Sequence, residues 1–342
     1  MSAWKFSVNS GFFGRRRDRF TEYQPDRTLE EKFLLVKKIE GIQGIELKYP
    51  ADLKDLSLAK RLLEESGLAC SAVNVDIKDA AHFRHGALSA QKKEARDRAI
   101  DLLREGMDMA AELRAGLITT CPLADGYDYP FQVDHSTAWV RFIESVRAAS
   151  SHRNDVRLAL EFQPHEPHAH IMLSNVGMAL FVCSEVRLPN LGINLDIGHS
   201  FAARESPAES AALLATKGKL FYVHTNDNTG EGGDWDMISG TVHFWHWLEF
   251  LHTLDRIGYS GWLGGDVASK HFGPTEAFET NTRMIQRMER LLERVGNDRI
   301  AALVRSEGNV ARTYDDLSKS LFETEPGETW NPVRDHGSEK LR

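Results

Sequence analysis

The sequence predicts an α/β protein built as one (β/α)8 barrel. Eight short apolar runs recur along the chain, and amphipathic stretches carrying helix start signals fall between them. No Gly/Ser-rich or Pro-rich linker separates one half from the other. The 342 residues are 42 % hydrophobic and 27 % charged, which excludes a disordered, collagen-like or coiled-coil chain. A net charge of -8 argues against a broad basic face for nucleic acid.

The runs are Trp4–Asn9, Gly44–Leu47, Ala69–Asn74, Gly116–Thr120, Arg157–Glu161, Leu191–Asp196, Leu220–His224 and Gly261–Asp266. Most are apolar on both faces, as strands buried in a parallel sheet are. Between them, Thr28 to Glu31 forms a capping-box pattern ahead of a helix over Glu31–Glu40. Leu56–Ser66 has helical spacing and stops at Gly67. Further helices are expected over Ser89–Leu113, Ser136–Ser150, Ser206–Thr216 and Phe244–Ile257, the last stopping at Gly258. Thr275–Val295 follows the eighth strand. The barrel is assigned to 1–300 and a C-terminal helix or tail extension to 301–342. Irregular structure is expected after about Asp315, where Pro326, Gly327, Pro332 and Gly337 appear.

Three cysteines, Cys70, Cys121 and Cys183, have no paired spacing. This argues against a disulfide scaffold and fits a reducing, cytoplasmic setting. The Arg15–Arg17 cluster is not followed by the apolar core of a secretion signal, and no run is apolar enough to span a membrane.

The chemistry lies at the strand ends, where barrels of this type place their active sites. Strands five to eight end in Glu161, Asp196, His224 and Asp266. A buried lone carboxylate costs several kcal/mol unless it is paired or bound to a cation. Three carboxylates and one imidazole converging on one mouth therefore predict a divalent metal held by all four. His199, three residues after Asp196, and the Asp234-Trp-Asp236 step form a second cluster for another cation or for substrate.

Other candidates are more isolated. The loop after strand five holds Glu166, with His165, His168 and His170 expected at the surface. Asn9 and Asn74 end strands one and three, and Glu46 is placed to face the barrel interior. Trp235 is expected to line a pocket, whereas Phe244, Trp247 and Leu251 share helical spacing and belong to the core. The Arg15–Arg17 run is expected to be solvated.

With these residues in place, the chain resembles the xylose-isomerase-like sugar isomerase and epimerase superfamily. The resemblance runs from the first strand to the helix after the eighth. Its motifs are Glu161-x-x-Pro-x-Glu-Pro167, Asn194-Leu-Asp-Ile-Gly-His199, His224-Thr-Asn-Asp227, Asp234-Trp-Asp236 and Asp266. They look most like the xylose and rhamnose isomerase branch. There one metal sits on the positions of Glu161, Asp196, His224 and Asp266, and a second on those of His199, Asp234 and Asp236. Gln163 stands where that branch carries Lys, and Asp266 where single-metal epimerases carry Glu.

The resemblance implies a metal-dependent isomerase or epimerase acting on the hydroxy-carbonyl unit of a free or modified monosaccharide. Glu161 or His199 is the expected base, Gln163 hydrogen-bonds a substrate oxygen, and Asp266 helps to hold the metal. Glu231 and Asp227 are further proton-transfer candidates. Oxygen-rich ligands suit Mn²⁺, with Mg²⁺ or Co²⁺ as alternatives. The alternative reaction is that of a lyase on 3-oxo glycosides, like C-glycoside deglycosidase large subunits, with a small β-subunit as partner. A homo-oligomer is expected. Abasic-site endonucleases share the barrel and the Asp-x-x-His step, but the acidic balance disfavours a DNA substrate.

Overall fold

The computed structural model describes residues 4–166, 169–305 and 310–322. Eight parallel strands close into a barrel. They are β1 (Lys5–Asn9), β2 (Gly44–Tyr49), β3 (Ala69–Val75), β4 (Leu117–Thr120), β5 (Arg157–Glu161), β6 (Leu191–Asp196), β7 (Leu220–Thr225) and β8 (Trp262–Gly265). Closure comes from β1, which pairs with β8 (Lys5 with Trp262, Val8 with Gly265) and with β2 (Ser7 with Gly44).

The principal helices are α1 (Leu29–Val36), α2 (Leu56–Ser66), α3 (Lys93–Glu112), α4 (His135–Ser150), α5 (Val176–Val186), α6 (Pro207–Thr216), α7 (Phe244–Arg256), α8 (Pro274–Val295), α9 (Asn297–Arg305) and α10 (Val310–Phe322). Local signals account for their ends. Thr28 and Glu31 complete the expected capping box of α1. Gly67 ends α2 in the left-handed region at φ 71°. Ser206 caps α6 with Pro207 in the first turn.

Three differences from the expected elements have physical reasons. The helix α5, capped by Asn175, was not among those named from the sequence, because it is apolar nearly all round and lacks a polar stripe. Helix α3 begins at Lys93 rather than Ser89, because Ser89 is bound elsewhere. Helix α10 carries regular structure through Asp315 to Phe322, beyond the expected start of an irregular tail. Residues 323–342, with Pro326, Gly327, Pro332 and Gly337, lie outside the described residues. So does His168.

Inside the barrel, side chains rise in alternating steps because a strand points every second residue inward. Ala72, Leu117, Ala159 and Tyr222 form a lower layer. Two residues further along the same strands stand Asn74, Thr119, Glu161 and His224. The Tyr222 hydroxyl is 2.8 Å from both Ser7 Oγ and Ser71 Oγ, so the layer is polar-satisfied as well as packed. Gly264 leaves room for this ring, since a Cβ there would lie 2.8 Å from Tyr222.

Asp125 ties two mouth loops together. Its buried carboxylate accepts from the Ala87, Leu88 and Ser89 backbone N–H groups at 2.7–3.0 Å and from Ser89 Oγ at 2.6 Å. Asp125→Ala strands three buried backbone N–H donors and the Ser89 hydroxyl. It is expected to cost about 3 kcal/mol, read as a lower denaturant midpoint at unchanged slope.

Candidate metal centre

The strand pleat and register bring the predicted residues to one level. Asn194 pairs in register with Glu161, Asp196 with His224, and His224 with Gly264, two residues before Asp266. One donor atom from each of Glu161, Asp196, His224 and Asp266 lies within 4.8 Å of the others, and all four residues are buried. His224 Nδ1 is the hub. It stands 3.3 Å from Glu161 Oε2, 3.1 Å from Asp266 Oδ2 and 3.8 Å from Asp196 Oδ2.

Neighbours hold these groups in place. The Asn194 amide donates to Glu161 Oε2 at 2.8 Å and lies 3.0 Å from His224 Nδ1. Asn226 donates to Asp196 Oδ2 at 2.9 Å, and its own oxygen accepts from Gly198 N at 2.7 Å. Asp196 Oδ1 accepts from His199 N at 2.9 Å, capping the short helical turn Ile197–Ala202.

On its far side, His224 Nε2 meets Glu46 Oε2 at 2.8 Å. Glu46 is fully buried, and its other oxygen accepts from Thr119 Oγ1 and from Asn74 Nδ2. A carboxylate on Nε2 keeps a proton there. When the ring is neutral, this leaves the Nδ1 lone pair facing the other three acids.

The second cluster divides. His199 Nε2 is 3.2 Å from Asp234 Oδ2. Asp236 sits at φ 46°, and its Oδ2 meets Arg16 Nη2 at 3.1 Å. Arg16 is also stacked over the Phe12 ring, so this member of the Arg run belongs to the site rather than to solvent. Cys121, at the end of β4, forms another close group with Glu161 and His199.

The electrostatics of the centre are unbalanced. Burial, with Glu161 and Asp234 nearby, pushes the Asp196 carboxyl up to about 7. Burial also raises Asp266 and Asp236. It opposes charge on both imidazoles, but Asp196 and Asp234 hold His199 well above the ordinary value. Glu46, Glu161 and Asp266 do the same for His224. Burial would raise Glu161 too, yet His224 and His199 hold it below the usual carboxylate range.

Around the centre, Asp266 Oδ1, His199 Nδ1 and Asn194 Oδ1 are buried without a hydrogen-bond partner. His199 Nδ1 is 3.2 Å from Glu161 Oε1, but off the line that a hydrogen bond needs. Excess carboxylate charge and unmatched lone pairs around one point fit a divalent cation on the four residues.

A cavity of about 500 Å³ opens above the centre. Asn9, Asn74, Gln163, Glu166, His199 and Asp234 are among its walls. Gln163 spends its amide donors on Glu166 Oε2 at 2.8 Å and His165 O at 3.1 Å. Asn9 lines the cavity while accepting from Gly11 N at 2.9 Å.

Several expected residues lie elsewhere. Trp235 is half exposed, donates to Glu231 O, and does not line the cavity. Glu231 itself is exposed on the loop. Asp227 is a loop staple, accepting from Val242 N and His243 N at 3.0 Å and meeting His243 Nδ1 at 2.8 Å. Trp247 and Leu251 are fully buried in the core, as expected. His170 is exposed and His165 half-buried. Thr119, Lys48 and Lys78 were not singled out from the sequence, and Asn194 entered only as the start of a motif. For Asn194 and Thr119 the signal was present, since each sits on the inward parity of its strand.

The fold and centre define a class: a closed parallel barrel with a buried carboxylate–imidazole cluster at the C-terminal mouth. The chain belongs to the xylose isomerase-like TIM-barrel family, whose sequence profile matches residues 33–303. It is 26 % identical over 207 residues to the xylose isomerase of Thermus thermophilus, covering 59 % of this chain and 54 % of that protein. The chain thus spans about half the length of this curated relative. Its fold is similar to an L-ribulose 3-epimerase structure, with TM-score 0.64, 17 % identity and coverage of 86 % and 98 % of the two chains. It is also similar to a D-allulose 3-epimerase from Methylomonas sp., with TM-score 0.65, 16 % identity and coverage of 84 % and 99 %. A 3-keto-D-glucoside 4-epimerase from E. coli matches with TM-score 0.63, 16 % identity and coverage of 83 % and 99 %. Among the described residues, no helix is long and apolar enough to cross a membrane.

Proposed function

We propose that this chain is a divalent-metal-dependent sugar isomerase or epimerase, acting on the hydroxy-carbonyl unit of a monosaccharide or its derivative. The observation that carries the reading is the convergence of Glu161, Asp196, His224 and Asp266 from four adjacent strands. These four would hold the metal, with Mn²⁺ the best match to the donor set. When bound, the metal supplies Lewis-acid stabilisation of negative charge on substrate oxygens.

The chain's own groups supply the rest. Glu161 Oε1 and His199 Nδ1 stand 3.2 Å apart without a hydrogen bond between them, so either can take a proton from substrate. Asp234 steadies the His199 ring from Nε2. Gln163 and Glu166 form a hydrogen-bonded wall for substrate hydroxyls. A second cation on His199, Asp234 and Asp236 would compete with Arg16 for Asp236. Nothing in the geometry favours the 3-oxo-glycoside lyase.

The test is proton NMR in D₂O of Mn²⁺-loaded protein with a panel of aldoses and ketoses. Conversion to a new sugar is the expected result. Deuterium at the reacting carbon marks proton abstraction, and its absence marks a hydride shift. No conversion across the panel counts against the reading.

Metal uptake is expected to depend on pH. Asp196 retains its proton in the folded metal-free chain up to about pH 7, against an ordinary 3.8. Metal must displace that proton, so affinity falls as pH drops through 7, by about tenfold per pH unit for each proton displaced. The same shift means the folded chain binds more protons than the unfolded chain between pH 3.8 and about 7. This contribution therefore lowers metal-free stability as pH rises through that window. Calorimetric Mn²⁺ titrations from pH 5.5 to 8 check the sign.

A further inference from the structure

Opposite the acidic centre, the same cavity is walled by Lys48 of β2 and Lys78, three residues past β3. Asp76 lies between them. Its Oδ1 accepts from the Lys78 backbone N–H at 3.1 Å, and its Oδ2 is 3.5 Å from Lys48 Nζ. The carboxylate thus meets the ammonium of Lys48 but only the backbone of Lys78. The Lys78 ammonium makes no ion pair or hydrogen bond among the described residues.

Lys48 cannot easily swing away. A Cβ on Gly11 would lie only 2.7 Å from Lys48 Cδ, so its stem is packed along the loop after β1. Desolvation, and next to it the Lys78 charge, push the Lys48 ammonium below the ordinary lysine value. The two charges therefore act on each other. Arg16, the third cation of the cavity, is already matched by Asp236. Hydroxyls of a neutral sugar need only amides such as Asn9 and Asn74. Burial opposes the Lys78 charge, but Cys121, Asp76, Glu161 and Asp266 hold it above the ordinary lysine value. With Glu161 and Asp266 engaged by a metal, the two ammonium groups facing the cavity would be left to an anion.

We propose that Lys48 and Lys78 form an anion subsite, and that the substrate is an acidic sugar carrying a carboxylate or phosphate away from its reacting carbons. This rests on the barrel-mouth cavity being the substrate site proposed above.

The test titrates the full Mn²⁺-loaded chain by calorimetry with matched triplets of glucose, galactose and mannose: the free sugar, its uronate and its 6-phosphate. In at least one triplet an acidic member is expected to bind about tenfold to a hundredfold tighter than the neutral sugar. The uronate or the 6-phosphate arm then identifies the anion. Lys78→Gln and the Lys48→Gln/Lys78→Gln double variant are expected to erase that margin. Equal binding of acidic and neutral members, no binding by any acidic member, or a margin that survives in the double variant would overturn the subsite. Mn²⁺ retention is measured alongside. A lost margin in wild-type protein that still binds metal and converts sugars removes the subsite alone, whereas absent metal binding removes the functional reading beneath it.

Discussion

Asp266→Asn is expected to bind Mn²⁺ more than about a hundredfold more weakly and to lose turnover in proportion, while remaining folded. Changes to groups that only support metal ligands typically cost tenfold to a hundredfold, and Asp266 is a proposed ligand itself. The substitution is sterically mild. Among the described residues Asp266 Oδ1 has no hydrogen-bond partner, and Oδ2 meets His224 Nδ1 at 3.1 Å. Little else is disturbed when the charge goes. Asp196→Asn is a less clean test, because Asp196 also caps the Ile197–Ala202 turn and accepts from Asn226. An amide there faces the Asn226 amide donor to donor. Metal at a hundredfold excess over its dissociation constant should stabilise the wild type by about 2.7 kcal/mol. The thermal melt should show that gain in the wild type and not in Asp266→Asn. Full Mn²⁺ retention in this variant would remove Asp266 from the ligand set.

The second large effect is expected at a residue that touches no substrate. Glu46 lies in β2, 178 positions from His224 in sequence, and holds His224 Nε2 at 2.8 Å. Glu46→Gln can turn its N–H₂ toward that nitrogen, which moves the neutral ring's proton to Nδ1, the atom facing the metal position. Turned the other way, its N–H₂ faces the Asn74 amide. Either arrangement weakens the support of the ring, and metal affinity should fall about tenfold to a hundredfold. Removing the Glu46 charge also loosens the second proton on His224, which favours metal. That opposing effect fades as pH rises, so the deficit should grow with pH. Metal titrations at pH 6.5 and 8.5, with histidine nitrogen shifts reporting the tautomer, check both parts. An unchanged affinity and tautomer at high pH would remove Glu46 from the orientation of His224.

Much of this was legible in the sequence because it is local. Strand ends can be read from short apolar runs, so Glu161, Asp196, His224 and Asp266 could be placed at one mouth before any coordinates. Caps are local too, and Thr28, Gly67 and Ser206 act as their residue types suggest. Helix α5 escaped because its signal, a polar stripe, is nearly absent. Trp235 was misplaced because a loop residue between two acids can turn either way, and only the folded loop turns it out.

Strand periodicity and capping chemistry determined the barrel and placed the four residues of the carboxylate–imidazole cluster at one mouth of it. Only the closed tertiary structure decided which partners those residues have. It sent Asp234 to His199 and Asp236 to Arg16, set Glu46 behind His224, and brought Lys48 to Asp76. The physical reason is range. An inward-facing position follows from the two-residue period of one strand, whereas a partner across the barrel depends on register, loop path and closure summed over the whole chain.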